Sequence, residues 1–230
     1  MDFKKTAKAT GIANLIIPLL MTGVTFGELG LMGLAGFRFN LETISYFGIS
    51  LSALNIIAYA VYFILWFKFL GLLNEEYKEN RNVRTAVIFG YFGNGVLLTT
   101  IFMGVCSTLF VVAFKQDNIN ITGLPYGVFP KEILNVNSIF RMISSILMLF
   151  MYLFLYFETE KESPLRTVLL LVSITILLDV ITTRFPLAFV DVIALWASLV
   201  LEFIFFIQIS NGQGFRKNES LSQESVSLSE

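Results

Sequence analysis

Six ionisable residues stand inside otherwise apolar runs of this 230-residue chain: Glu28, Arg141, Asp179, Arg184, Asp191 and Glu202. A charge surrounded by hydrocarbon is costly enough to need a partner, a proton or a purpose, so these six are the candidate pathway or ion-pair residues. Measured at about 1.5 Å of helical rise per residue, all but Glu202 fall in the outer half of the spans given below. Three acids and two bases at similar depth predict one cluster, in which Arg141 and Arg184 face Glu28, Asp179 and Asp191. Such a cluster carries a net charge of about −1 when fully ionised, which leaves room for a proton or a cation. Its other reading is an ion-pair lock that fixes helix register. Glu202 lies apart, about 8 Å from the inner surface, where only Lys68 of the second span could snorkel toward it.

Uncharged polar residues extend these positions into stripes. Asp191, Ser198 and Glu202 are separated by seven and four residues and so share one helix face. Ser52, Asn55, Tyr59 and Tyr62 align in a second run; Arg141, Ser144, Ser145 and Tyr152 align in a third; Thr175, Asp179, Thr182 and Thr183 share a side of a fourth. Asn94 sits mid-run, and Asn14 falls near the face of Glu28. Asn55, Asn94 and Ser198 are thus the supporting polar residues. Ser, Thr and Asn in such places serve first as hydrogen bonds between helices, and four striped runs of six favour a polar interior.

Much chemistry is excluded by what is missing. The chain has no histidine and one cysteine, Cys106. That removes histidine-ligated haem, histidine or cysteine zinc sites, Ser-His and Cys-His nucleophile pairs and any internal disulfide. Cys106 itself reads as a small buried side chain. Rhomboid-type proteolysis lacks its base. The Tyr-Asp and Gly-x-Gly-Asp motifs of intramembrane aspartyl proteases are not found around Asp179 or Asp191, and the Glu75-Glu76 to Arg81 spacing is one residue too long for a CAAX-type protease. A retinal protein needs a mid-membrane lysine, and there is none. Gly90 to Gly95 is glycine-rich, but no Lys-Ser or Lys-Thr follows, so it is not a phosphate loop. Enzyme activity, a cofactor and a metal are therefore not expected.

The elements that position these residues follow from the apolar runs. The chain is 56% hydrophobic and 14% charged, with a mean hydropathy of +0.75, far from a soluble domain of this length. About 20 apolar residues cross roughly 30 Å of hydrocarbon. Six runs meet that ruler: residues 12–34, 44–67, 86–114, 137–157, 167–183 and 187–209. The expected architecture is an all-α bundle of six transmembrane helices over 12–210, after a short basic N-terminus over 1–11. Lys4, Lys5 and Lys8 before an apolar run also have the outline of a signal peptide, but the run is too long for one and contains Glu28.

Orientation comes from the basic residues. With the N-terminus inside, eleven Lys and Arg flank the spans on the inner side, and Arg38, Lys115, Lys131 and Arg184 lie on the outer side. That bias predicts both termini in the cytoplasm of a cell membrane. Trp66, Tyr152 and Tyr156 then read as interfacial anchors, and Asn74 to Val83 as an inner loop. Residues 211–230, rich in Ser, Glu, Gln and Asn, read as a disordered tail. The apolar outer connection, 116–136, reads as a cap over the helix ends. Gly23, Gly27, Gly30 and Gly33 offer a face for close helix packing or for a second copy.

Two functions fit this pattern. One is a small transporter or channel-like protein for a proton-coupled or cationic solute, using the intramembrane carboxylates. The other is a non-catalytic scaffold or subunit with a membrane partner, such as the membrane subunit of an ATP-driven transporter. The lipid bilayer is the partner in both, and the charge distribution excludes nucleic acid.

Overall fold

The computed structural model describes residues 2–34, 41–114, 131–184 and 188–216, with side chains at 2–21, 53–54, 56–106, 136–182, 190 and 193–216. They form six helices: α1 (Phe3–Leu34), α2 (Leu41–Glu76), α3 (Arg81–Phe114), α4 (Lys131–Glu158), α5 (Pro164–Arg184) and α6 (Ala188–Ser210). Five contain stretches long and apolar enough to cross a membrane: Ile56–Glu76, Arg81–Cys106, Val136–Glu158, Pro164–Thr182 and Ile193–Ser210. Their outward faces are apolar. Phe102 is 67% exposed and Ile57 66%, and Ile64 and Phe92 are close behind. A surface of that kind suits lipid and not water, as in a multi-pass membrane protein.

Each helix runs past its apolar stretch at one end or both, and at three of these ends capping chemistry sets the limit. α1 begins at Phe3 and so takes in the basic segment expected to precede it; Lys4, Lys5 and Lys8 are good helix formers and stay exposed. The expected loop from Asn74 to Val83 shrinks to four residues. Asn80 stops it there: its Oδ1 accepts from the backbone N–H of Asn82 and Val83, both at 3.0 Å, which makes it the N-cap of α3. Ser163 does the same for α5, accepting from Leu165 N at 3.3 Å with Pro164 at the first helical position. α6 ends in a Schellman turn. Gly212 takes φ +94°, its N–H bonds Ile209 O at 3.1 Å, and Gln213 N bonds Gln208 O at 3.0 Å.

Each helix packs on its neighbours in sequence and α6 packs back on α1, so the six close into an antiparallel ring. Among the described residues, opposite helices do not meet along their backbones. Aromatic side chains fill the centre instead. Trp66 and Phe69 of α2 meet Phe206 of α6 edge-on, with ring centroids 5.1 and 4.9 Å apart, and Tyr152 of α4 meets Phe205 at 5.6 Å. All five are fully buried. Trp66 and Tyr152 are therefore not interfacial anchors: they point inward, where their area is worth most. Close approach around the ring depends on glycines. A Cβ on Gly11 would lie 2.6 Å from Phe206 Cβ, one on Gly90 2.7 Å from Met151 Sδ, and one on Gly93 3.0 Å from Met148. The environments of Gly23, Gly27, Gly30 and Gly33 lie outside the described residues.

Order continues six residues beyond the expected start of the tail. Residues 211–216 cross the end of the ring where α1 starts and α6 finishes. Phe215 is buried against Tyr77, with ring centroids 5.4 Å apart, and its N–H donates to the Tyr77 hydroxyl at 3.2 Å. Arg216 N donates to Glu158 O at 3.0 Å, while Asn80 Nδ2 donates to Arg216 O at 3.0 Å and to Glu158 Oε2 at 2.7 Å. Ser163 Oγ reaches Gln213 Oε1 at 2.9 Å. One aromatic residue and several backbone bonds thus tie α6 to the α2–α3 and α4–α5 turns; composition alone conceals this. Residues 217–230 and the outer connection, 115–130, lie outside the described residues. Cys106 is exposed on the outward side of α3, not buried as its apolar run suggested.

Glycine packing separates two positions. Gly11→Val should destabilise the protein by about 1–3 kcal/mol by forcing α1 off α6. Gly95→Ala, with nothing within 4 Å of its Cβ, should be neutral or stabilising by up to about 1 kcal/mol through helix propensity. Thermal unfolding in detergent measures both, and equal shifts would contradict the ring packing.

Candidate functional site

Helix α1 brings three polar side chains to its buried face at intervals of four: Thr6, Thr10 and Asn14. Thr10 Oγ donates to Thr6 O of its own helix at 2.8 Å, and Leu65 O of α2 also lies within reach at 3.2 Å. Asn14, one turn further, reaches the ring interior. Its Nδ2 donates to Glu202 Oε2 of α6 at 2.8 Å, and its Oδ1 accepts from the Trp66 indole N–H of α2 at 3.3 Å. The amide has one orientation here, since an indole only donates and a carboxylate accepts. Tyr152 of α4 closes the group. Its buried hydroxyl lies against the Glu202 carboxylate and near Tyr62, without completing a hydrogen bond of good geometry.

Glu202 is 9% exposed, and one turn along α6 stands Phe206 in the aromatic layer. The carboxylate therefore sits directly on that layer, on the side away from residues 211–216. Its surroundings are an amide, a phenol, an indole and hydrocarbon. Among the described residues no Lys or Arg lies within ion-pair distance of it. Lys68 is exposed on α2 and leaves Glu202 to Asn14.

A second polar station lies on α4 and α5. Arg141 Nη2 and Asp179 Oδ1 are 2.7 Å apart, and Ser145 Oγ donates to Asp179 Oδ2 at 2.8 Å. The two side chains are 30% and 17% exposed. Arg141 precedes Tyr152 by eleven residues, roughly 16 Å along α4, so the two stations are distinct. The side chains of Glu28, Arg184, Asp191 and Asn55 lie outside the described residues, and with them the rest of the expected cluster.

The remaining polar residues divide by partner. Ser144 Oγ donates across to Gly93 O of α3 at 2.8 Å. Asn94, also buried, donates to Gly90 O at 2.9 Å, while its Oδ1 has no hydrogen-bond partner. Ser173, Thr175, Thr182, Thr99 and Thr100 bond carbonyls of their own helices, three or four residues back. Of the hydroxyls in the sequence stripes, Ser144 and Ser145 thus bond across to a neighbouring helix as expected, while Thr175 and Thr182 turn back on their own. Ser198 is half-buried on α6. Asn14, Trp66 and Tyr152 are the residues that sequence reasoning did not connect to Glu202. The four-residue interval Thr6, Thr10, Asn14 was the available signal for α1; nothing in the sequence turned the two aromatic residues inward.

The described residues include no group of His, Cys, Asp and Glu fit to hold a metal. Comparison with known proteins finds no matching family model, no matching curated protein and no matching solved structure.

The Arg141–Asp179 pair is partly exposed, so its coupling should fall between that of a surface bridge and a buried one, roughly 1–3 kcal/mol. A double-mutant cycle of Arg141→Met and Asp179→Leu, read by unfolding in detergent, measures it. Additive losses would mean that the pair holds nothing.

Proposed function

We propose that the protein is a small membrane transporter for a cationic or proton-coupled solute, with the Glu202 carboxylate as its exchangeable cation site. One observation carries this reading: the carboxylate is buried inside the helix ring with only neutral partners. An ionised carboxylate in low-dielectric surroundings must be matched by positive charge, and here that charge has to arrive from outside the chain, as a proton or a larger cation. Stability alone does not account for Glu202, since a well-packed apolar residue of similar size serves a bundle as well or better. Asp179 differs. Its pairing with Arg141 and Ser145 supports a role in fixing α4 against α5. Glu28, Arg184 and Asp191, in the outer half by sequence, extend the path toward that side in this reading.

The aromatic layer and residues 211–216 lie between Glu202 and the end where α1 starts. The conformation described is therefore closed on that side, and exchange there requires α2 and α6 to part. The bias of Lys and Arg makes that end cytoplasmic, with α1 as a sixth span and the cell membrane as the site of action. Digestion of sealed vesicles by trypsin from the cytoplasmic face checks the orientation at Arg216 and Lys217. The alternative, a scaffold whose glycine face is Gly23, Gly27, Gly30 and Gly33, gives no account of a carboxylate buried among neutral partners.

Reconstituted into liposomes that enclose a pH-sensitive dye, the wild type should carry protons when a potassium diffusion potential is imposed. Glu202→Gln should fall to the rate of protein-free vesicles, while its side-chain oxygen still accepts from Asn14 and preserves the fold. Equal proton flux in the two proteins would remove Glu202 from the mechanism.

A further inference from the structure

Residues 211–216 lie against the start or finish of every helix. They continue α6, and Lys4 of α1 stands over Gly212, its Nζ 3.3 Å from where a Cβ would be. Tyr77 follows the last residue of α2, Asn80 caps α3, Glu158 ends α4 and Ser163 caps α5; each bonds residues 213–216 as described above. Two of these partners have a double task. Asn80 Oδ1 starts α3 while its Nδ2 donates to Arg216 O. Ser163 Oγ accepts from Leu165 N at the start of α5 and donates to Gln213 Oε1. The groups that fix where α3 and α5 begin therefore also hold this segment down.

The hold is small and lies at the rim. Asn211, Gly212, Gln213 and Arg216 are exposed, and Phe215 is the buried side chain among the six. Few buried contacts and exposed hydrogen bonds make a segment that opens before the helices around it do. Lifting residues 214–216 breaks no bond within a helix. The seat is nevertheless closely fitted. A Cβ on Gly214 would overlap the Tyr77 hydroxyl, and the next nearest atom is Tyr77 Cζ at 3.6 Å. α6, the helix so held, is also the one whose Phe205 and Phe206 pack on Phe69 of α2 and Tyr152 of α4.

We propose that residues 211–216 are a strap. Fastened, they hold α6 to the α2–α3 and α4–α5 turns and keep the aromatic layer shut at this end of the ring. Released, they let the last turns of α6 move off α2 while the other helices stay paired. This action depends on the ring packing and not on the transport reading.

Trp66, fully buried in the layer, reports on it. The chain has two tryptophans, so Trp196→Phe leaves the emission of Trp66 alone. In detergent, Phe215→Ala in that background should raise the quenching of Trp66 by aqueous acrylamide by about threefold or more, as expected for local opening. Gly214→Ala should act in the same direction, and adding Tyr77→Phe, which removes the overlapping oxygen, should return quenching toward the parent value. Hydrogen exchange read by mass spectrometry separates release from unfolding: amides over 203–210 should exchange faster in Phe215→Ala, and those over 86–100 and 144–155 should not. Trp66 as shielded in Phe215→Ala and Gly214→Ala as in the parent would overturn the proposal. So would exchange that rises alike in all helices, which would make the segment a general support of the fold. Release that uncovers Trp66 in a protein that carries no protons would leave the strap standing and reject the transport reading.

Discussion

The burial of one carboxylate among neutral groups is the constraint on which the centre of this structure depends. Inside a bundle solvated by lipid there is no water to take up an unpaired polar atom, so each must be answered by the protein or by a ligand. Glu202 is answered by Asn14, Asn14 by Trp66, and the Trp66 ring by Phe206. That chain of contacts joins α6, α1 and α2, and Tyr152 brings in α4. To move any one of them is to disturb the rest, which couples the charge state of the carboxylate to the packing of four helices.

The ring architecture makes such a centre possible. Because the backbones of opposite helices stay apart among the described residues, the space between them is filled by side chains, and near Glu202 the filling is aromatic. Rings that meet edge to face at about 5 Å give dense packing without demanding hydrogen bonds. In the proposed transport reading, such a layer is the closed side of the path to Glu202. Residues 211–216 add to that closure from outside, since Phe215, Asn80 and Glu158 pin the finish of α6 to the two turns beside it.

Much of this fold was legible in the sequence, and the reasons for what was not are specific. The six helices follow from apolar runs long enough to need lipid, and that signal is strong because charge is nearly absent from α2 and α3 between their ends. Their limits did not follow, since Asn80, Ser163 and Gly212 cap by local geometry that hydropathy does not register. Glu202 stood out as a charge in an apolar run. Its partners did not, because Trp66 and Tyr152 have compositions equally at home at a membrane surface, and only the ring closure of α6 on α1 turns them inward. Phe215 was hidden in the same way: a lone aromatic in a polar stretch carries no period from which its burial can be read.

In the proposed reading Glu202 exchanges its positive partner with the solution and is not locked in one state by the fold. Infrared difference spectroscopy of the reconstituted protein between acidic and alkaline buffers tests it most directly. The expected result is a carboxylic acid carbonyl band that exchanges with a carboxylate band as the pH changes and that is missing from Glu202→Gln. A difference spectrum identical in wild type and Glu202→Gln would show that Glu202 does not exchange a proton with the solution, and would remove it as the cation site.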